Sequence, residues 1–183
     1  MKYVIEHLEE EEYEWCVIEY KHISKIVGKE NLIITNVKEK EKLKDYAAVY
    51  SESVSKLGLK DVCILDPEAE KTLEPTDAKK FKYVIFGGIL GDYPPRKRTQ
   101  EEIKLSGERR NLGREQMATD NAIFVTKKIV DGTPMEKLEF VDTIEIETDE
   151  NESCVMPYRY VIVDGKPLIS EELVNHLKRK DIF

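Results

Sequence analysis

The run Phe86-Gly87-Gly88-Ile89-Leu90-Gly91-Asp92 carries the clearest chemical signal in the chain. It follows Tyr83-Val84-Ile85, a compact apolar stretch of the kind that forms a buried strand. Open α/β sheets hold ligands at the carboxyl ends of such strands. Glycine there lets the backbone approach a ligand closely and adopt positive φ. The spacing is not G-x-G-x-x-G and no helix start follows at once, so a dinucleotide-phosphate site is not supported; a plain tight turn is the competing reading. Other site chemistries are missing. No G-x-x-x-x-G-K-[ST], H-E-x-x-H or paired C-x-x-C occurs. The three histidines, His7, His22 and His176, are too scattered for a histidine triad or a zinc site, and no metal is expected. The three cysteines, Cys16, Cys63 and Cys154, are far apart and odd in number, which fits small buried residues in a reducing compartment and predicts a cytoplasmic protein.

The elements that must position the glycine turn alternate. Tyr3-Val4-Ile5 predicts a first strand. Residues 9–12 are acidic, as suits a helix start, and Trp15, Ile18, Ile23 and Ile26 recur at helical spacing before Gly28. Strands are predicted at 31–35, 62–65 and 83–86, with a polar helix over 40–57 between the first two. Such alternation argues a parallel α/β sheet. Beyond an irregular stretch at 92–111, the pattern predicts a helix over 115–130, a strand over 140–146, and a hairpin whose strands, 158–163 and 166–169, flank Asp164-Gly165. Ser170 caps a last helix that runs to about residue 180.

With 183 residues and 40% apolar content, the chain suits one domain with a true core. No apolar run reaches membrane-spanning length, and the first residues do not resemble a signal peptide, so no membrane is expected. The net charge of −8 favours a cationic partner over a phosphate backbone. One basic island interrupts this: residues 92–114 carry seven bases against four acids. Residues 142–152 hold six acids and no base.

Several blocks together resemble the SPOUT protein-arginine methyltransferase family. They are Met1-Lys2-Tyr3-Val4-Ile5-Glu6-His7, Glu14-Trp15, Leu65-Asp66-Pro67, Phe86 through Arg96, Arg109-Arg110-Asn111-Leu112-Gly113, Gln116-Met117-Ala118-Thr119-Asp120, and Met156-Pro157-Tyr158-Arg159-Tyr160-Val161. They run in order across nearly the whole chain; residues 38–59 show no match. The resemblance implies a single domain over 1–183: a mostly parallel sheet flanked by helices, with a C-terminal trefoil knot within about 83–163. It also implies S-adenosylmethionine bound in the knot by three loops. The first contains Phe86, Gly87, Gly88, Ile89, Leu90, Gly91 and Asp92. The second contains Arg110, Asn111, Leu112 and Gly113 and leads into Met117. The third ends on Met156 and Pro157. Adenine is flat and needs backbone donors and acceptors at its edge, so a side chain at Gly88 would fill its approach. Arg109 or Arg110 could face the methionine carboxylate.

For an arginine acceptor, the guanidinium is protonated at neutral pH, with a pKa above ~12. A carboxylate must pair with it and take a proton as the methyl arrives. The candidates are Asp92, ranked first for its place in the first loop, then Glu6, Glu19 and Asp120; Tyr93 and Tyr158 could wall the channel. The family's acceptor is an arginine of a small-subunit ribosomal protein, a basic partner that the acidic segments could dock. The basic segment 96–114 could instead touch ribosomal RNA. Two rivals follow: a SPOUT methyltransferase acting on transfer or ribosomal RNA, and a non-enzymatic ribosome-associated protein that keeps the fold. Relatives of this type imply a monomer, with a dimer as the alternative.

Overall fold

The computed structural model describes residues 1–88, 103–149 and 152–179. Six strands form one sheet in the order β3-β2-β1-β5-β4-β6, and every neighbouring pair is parallel. They are β1 (Lys2–His7), β2 (Leu32–Thr35), β3 (Ala48–Val49), β4 (Val62–Leu65), β5 (Tyr83–Gly88) and β6 (Glu108–Arg110). Val4, Ile5, Ile64, Val84 and Ile85 are buried without remainder, as expected of strands covered on both faces. Helices α1 (Glu14–Val27) and α2 (Thr119–Val130) pack on the sheet and on each other. Their apolar stripes, Cys16, Tyr20, Ile23 and Val27 on α1 and Ile123, Val125 and Ile129 on α2, fill one core cluster.

A second, antiparallel sheet joins β7 (Phe140–Asp149), β8 (Glu152–Val163) and β9 (Lys166–Pro167). Asp164 and Gly165, both at positive φ, make the expected tight turn between β8 and β9. The last helix, α3 (Glu171–Leu177), has the expected Ser170 cap, whose hydroxyl accepts from the Leu173 amide.

Two elements differ from the sequence pattern. Residues 40–57 do not form a helix. They make a 3-10 turn at Lys40–Lys42, strand β3, and a second 3-10 turn at Val54–Lys56. The exposed edge of β2 offers a ladder, which Ala48 and Val49 fill opposite Ile33 and Ile34, and the β-branched and serine residues near by suit an extended chain. The helix predicted over 115–130 starts only at Thr119. Gln116 and Met117 are held extended instead: the Gln116 carbonyl accepts from the Arg159 amide, and Met117 bridges Arg159.

Candidate functional site

The strand order has a reversal at its centre. The chain leaves β1 toward β2 on one side, and leaves β5 toward β6 on the other. Such a reversal opens a crevice at the carboxyl ends of the two strands. Here those ends lie side by side, with Glu6 opposite Gly87 and His7 opposite Gly88. The glycine turn therefore begins at the crevice. Its continuation, Ile89, Leu90, Gly91 and Asp92, lies outside the described residues, as does Tyr93.

Phe86 and Gly88 are shaped by the protein interior. Phe86 stacks on Tyr3, with ring centroids 6.4 Å apart. A Cβ added to Gly88 would stand 2.7 Å from both Ile5 Cγ2 and Tyr20 Oη, and 3.1 Å from the Glu6 carbonyl. This corrects the expectation that a side chain at 88 would point into the adenine approach. Gly88 is needed because α1 packs its Tyr20 hydroxyl onto the end of β5. That hydroxyl is fixed by His7 Nδ1 at 2.8 Å. Burial holds the His7 imidazole below its ordinary pKa, against the opposing pull of Glu12. Neutral His7 and Tyr20 thus brace the floor of the crevice.

The next wall comes from residues that sequence reasoning left unassigned. The stretch 66–75 after β4 closes around Asn111, the first residue after β6. Asn111 donates its amide to the Lys71 carbonyl (2.8 Å) and accepts from the Leu73 amide (2.9 Å). Its side chain donates to the Ala69 carbonyl (2.7 Å) and accepts from Thr72 Oγ1 (3.1 Å) and the Gly113 amide (3.0 Å). Gly113 turns at φ +91°, with the Met135 methyl 3.7 Å from where a Cβ would sit. Beside this turn a cavity of about 390 Å³ is lined by Thr72, Leu73, Glu74, Pro75, Pro134, Met135 and Glu136. That size is in the range of small-molecule sites. The signal for this wall was the Leu65-Asp66-Pro67 block, which marked the family without suggesting a contact.

The arginines do different work from the one expected. Arg109 Nη1 binds Asp66 at 2.8 Å. Arg110, 4% exposed, clamps Asp77 with Nε (3.0 Å) and Nη2 (3.2 Å), and also reaches Glu108 (2.7 Å) and the Arg109 carbonyl (2.9 Å). Its guanidinium is consumed by the fold, so the expectation that it faces a cofactor carboxylate is corrected; what Arg110 offers the crevice is the placement of Asn111, Leu112 and Gly113. Leu112 is itself buried in the core cluster, and Met117 packs against it.

Met156 and Pro157 do not sit on a third loop. They lie inside β8, with Met156 paired to Ile144, because the second sheet claims residues 152–163 as one strand. Tyr158, next in β8, is buried.

The proposed carboxylates separate into two groups. Glu6, 2% exposed, spends Oε2 on Thr35 Oγ1 and on the Val54 amide at 2.9 Å, pinning the 53–54 turn to the sheet. Glu19 and Asp120 meet at the α1–α2 contact. Glu19 Oε1 accepts the Asp120 amide at 3.1 Å, while its Oε2 is buried without a hydrogen-bond partner. Burial first, and then the Asp120 charge, raise the Glu19 pKa well above the usual carboxylate range. Asp120 binds His22 Nδ1 at 2.9 Å through Oδ2 and both nitrogens of Asn121 through Oδ1. Asn121 in turn accepts from the Val161 amide and donates to the Leu168 carbonyl, tying the first sheet's helices to the second sheet. Asp120 is therefore the hub of a structural network. Among the described residues, no group of three metal-ligating side chains converges, and no helix is long and apolar enough to cross a membrane.

Comparison with known proteins agrees with this architecture. The family model described as protein arginine N-methyltransferase SFM1-like matches residues 2–182. Protein arginine N-methyltransferase SFM1 of Saccharomyces cerevisiae is 40% identical, over 98% of this chain and 95% of its own. The crystal structure of the yeast SFM1 complexed with SAH superposes with a TM-score of 0.88 at 38% identity, over 97% of this chain and 94% of that one. The form complexed with SAM gives 0.87 at 38% identity, over 97% and 89%. Trm10 from Thermococcus kodakaraensis shares the fold alone, at a TM-score of 0.57, 18% identity, and coverage of 75% and 96%. On the crevice, the ordered blocks and these matches together, the chain belongs to the SFM1-like family of S-adenosylmethionine-dependent protein arginine N-methyltransferases.

Proposed function

We propose that this enzyme binds S-adenosylmethionine in the crevice at the carboxyl ends of β5, β4 and β6, and methylates an arginine of a basic small-subunit ribosomal protein in the cytoplasm. The observation that carries the reading is the convergence of three chain segments at the carboxyl ends of β5, β4 and β6: Gly87-Gly88, residues 66–75, and Asn111 to Gly113, with the 390 Å³ cavity beside them between residues 72–75 and 134–136. Backbone groups of Gly87, Asn111, Leu112 and Gly113 would edge the adenine, and Phe86, Leu112 and Met117 back it with apolar surface. When bound, the cofactor supplies a methyl already activated on a sulfonium. The chain must then place the acceptor guanidinium in line, shield it from water and take one proton from it. Glu6 and Asp120 are committed to internal hydrogen bonds and Glu19 is buried against the Asp120 amide, which leaves Asp92, of the four proposed acids, as our choice of proton acceptor.

The grip of residues 66–75 on Asn111, and the passage of the chain from β5 across β4 to β6, support a threaded, trefoil-knotted segment within about 83–163. We further propose a monomer, as the family resemblance implies. The RNA reading rests on the basic segment. Three of its cations are spent internally, Arg109 on Asp66, Arg110 on Asp77, and Arg114 on the Pro67 carbonyl, which weakens it. Radiolabelled methyl transfer into a lysate lacking the enzyme, with protein and RNA counted separately, decides between them. Label in protein, recovered as methylarginine after acid hydrolysis, is the expected result; label in RNA would reject the protein acceptor.

A further inference from the structure

Arg159, on β8, is bound to two parts of the fold at once. Across the second sheet it lies opposite Asp142 of β7. Its Nε donates to Asp142 Oδ1 at 2.6 Å and its Nη2 to Asp142 Oδ2 at 3.0 Å, a two-point fork. Its guanidinium carbon stands 5.5 Å from the centre of the Phe140 ring, which packs against the core cluster. These contacts fix the side chain to β7. Nη1 reaches the other way and donates to Glu115 Oε2 at 2.8 Å. The main chain of the same residue repeats the link: the Arg159 amide donates to the Gln116 carbonyl at 2.8 Å, beside the bridge to Met117.

One residue thus joins the second sheet to the segment that leaves the turn from Asn111 to Gly113. Residues 112–116 belong to no helix or strand, so side chains must hold them. Asn111 is gripped by residues 66–75 at one end. At the other end the Glu115–Arg159 pair lies over Gly113: a Cβ placed there would be 3.3 Å from Glu115 Oε2 and 3.9 Å from Arg159 Nη1. Exposed ion pairs contribute little singly, and a forked arginine in a network is the exception. The Arg159 side chain is 20% exposed, against 62% for Asp142 and 50% for Glu115, so the guanidinium is the fixed centre of this network. We propose that Arg159 is a positioning residue for the cofactor: it ties the β7–β8 hairpin to residues 113–117 and, through that turn, sets the affinity for S-adenosylmethionine. The proposal rests on the placement of the cofactor against Asn111 to Gly113 and deepens it.

The test is calorimetric titration of the full chain with S-adenosylhomocysteine, at a temperature well below the Tm of every variant. Arg159→Met keeps a stem over Phe140 and removes the side-chain hydrogen bonds. Its Kd should rise about three- to tenfold, as for a turn that holds its binding geometry about 10–30% of the time. Asp142→Asn, an exposed change on β7, should raise Kd about two- to threefold by weakening the fork. It should add nothing in the Arg159→Met background, where no guanidinium is left to orient. Arg159→Lys should resemble Arg159→Met, since an ammonium cannot clamp Asp142 at two points and reach Glu115 as well. Unchanged affinity in Arg159→Met or Asp142→Asn, a full Asp142→Asn effect in the Arg159→Met background, or wild-type affinity in Arg159→Lys overturns the strut. Gly113→Ala separates that failure from a failure of the cofactor placement, because it strains the turn itself, at φ +91°. Weaker binding in Gly113→Ala with no effect of the Arg159 variants leaves the site standing without its strut; unchanged affinity in all of them rejects the placement.

Discussion

Asp77→Asn should unfold this enzyme about 6–12 °C below the wild type. Asp77 and Arg110 are each 4% exposed and bound to one another at two points. Removing one partner of a buried pair strands the other charge, at a cost of about 3–5 kcal/mol. Glu108 remains near Arg110, but its side chain is 58% exposed and cannot replace the lost carboxylate, so the lower part of that range applies. For a chain of this length each kcal/mol lowers Tm by about 2–4 °C. Thermal denaturation followed by circular dichroism measures the shift. The pH dependence gives an independent check. Burial alone would raise the Asp77 pKa, but the hydrogen bonds from Arg110 and Lys80 outweigh it and bring the carboxyl down to about 2. A depressed folded-state pKa contributes stability above the unfolded value, near 3.8, which is lost as pH falls toward about 2. The mutant should lack this part of the acid limb, so the two proteins converge in stability below about pH 2. Replacing both partners with apolar residues, Asp77→Leu with Arg110→Met, should cost less than Asp77→Asn alone, because no buried charge is then left unpaired.

Gly88→Val should lower both stability and cofactor affinity, with stability falling even without cofactor. The new Cβ would meet Tyr20 Oη and Ile5 Cγ2 at 2.7 Å, and the Glu6 carbonyl, a backbone atom, at 3.1 Å. Overpacking of this kind costs about 1–3 kcal/mol. The contact with the Glu6 carbonyl is relieved by moving the end of β5 away from β1, and that displaces Gly88, where the proposed cofactor loop begins. Calorimetry with S-adenosylhomocysteine should show affinity at least about tenfold weaker, equivalent to about 1.4 kcal/mol. The cause can be isolated with Gly88→Ala. Tyr20→Phe removes the hydroxyl that the alanine methyl would strike, so the double mutant should be more stable than the sum of the two single changes implies. Simple additivity would show that Tyr20 does not set the glycine requirement.

Much of the scaffold was legible in the sequence because buried parallel strands announce themselves. The runs at 31–35, 62–65 and 83–86 each became a strand within a residue or two. The Asp164-Gly165 turn was equally plain, since positive φ at both positions selects such residues. Residues 40–57 misled because their polarity fits a surface helix, whereas the open edge of β2 decides their form, and no local pattern encodes that edge. Met156 and Pro157 misled for a similar reason: the second sheet is built by pairing with residues 140–149, a contact distant in sequence.

The site was legible in outline and not in its working parts. Glycines at 87 and 88 pointed to the sheet edge where β1 and β5 end side by side, but the reason for Gly88 is the Tyr20 hydroxyl, 68 residues earlier. The role of Arg110 depends on Asp77, 33 residues earlier in the chain. Glu6, Glu19 and Asp120 were marked as acids near the chemistry; their hydrogen bonds to Val54, the Asp120 amide and His22 assign them to the frame. Carboxylate type alone does not distinguish a proton acceptor from an anchor. Burial and partners do, and both come from long-range packing.

The most direct test of the account is a crystal of this enzyme soaked with S-adenosylhomocysteine. Difference density for the adenosine should lie at the carboxyl ends of β4, β5 and β6, against residues 66–75 and the turn from Asn111 to Gly113. Density at any other face of the sheet, or a clear crevice in crystals grown from enzyme that binds the compound in solution, would contradict it.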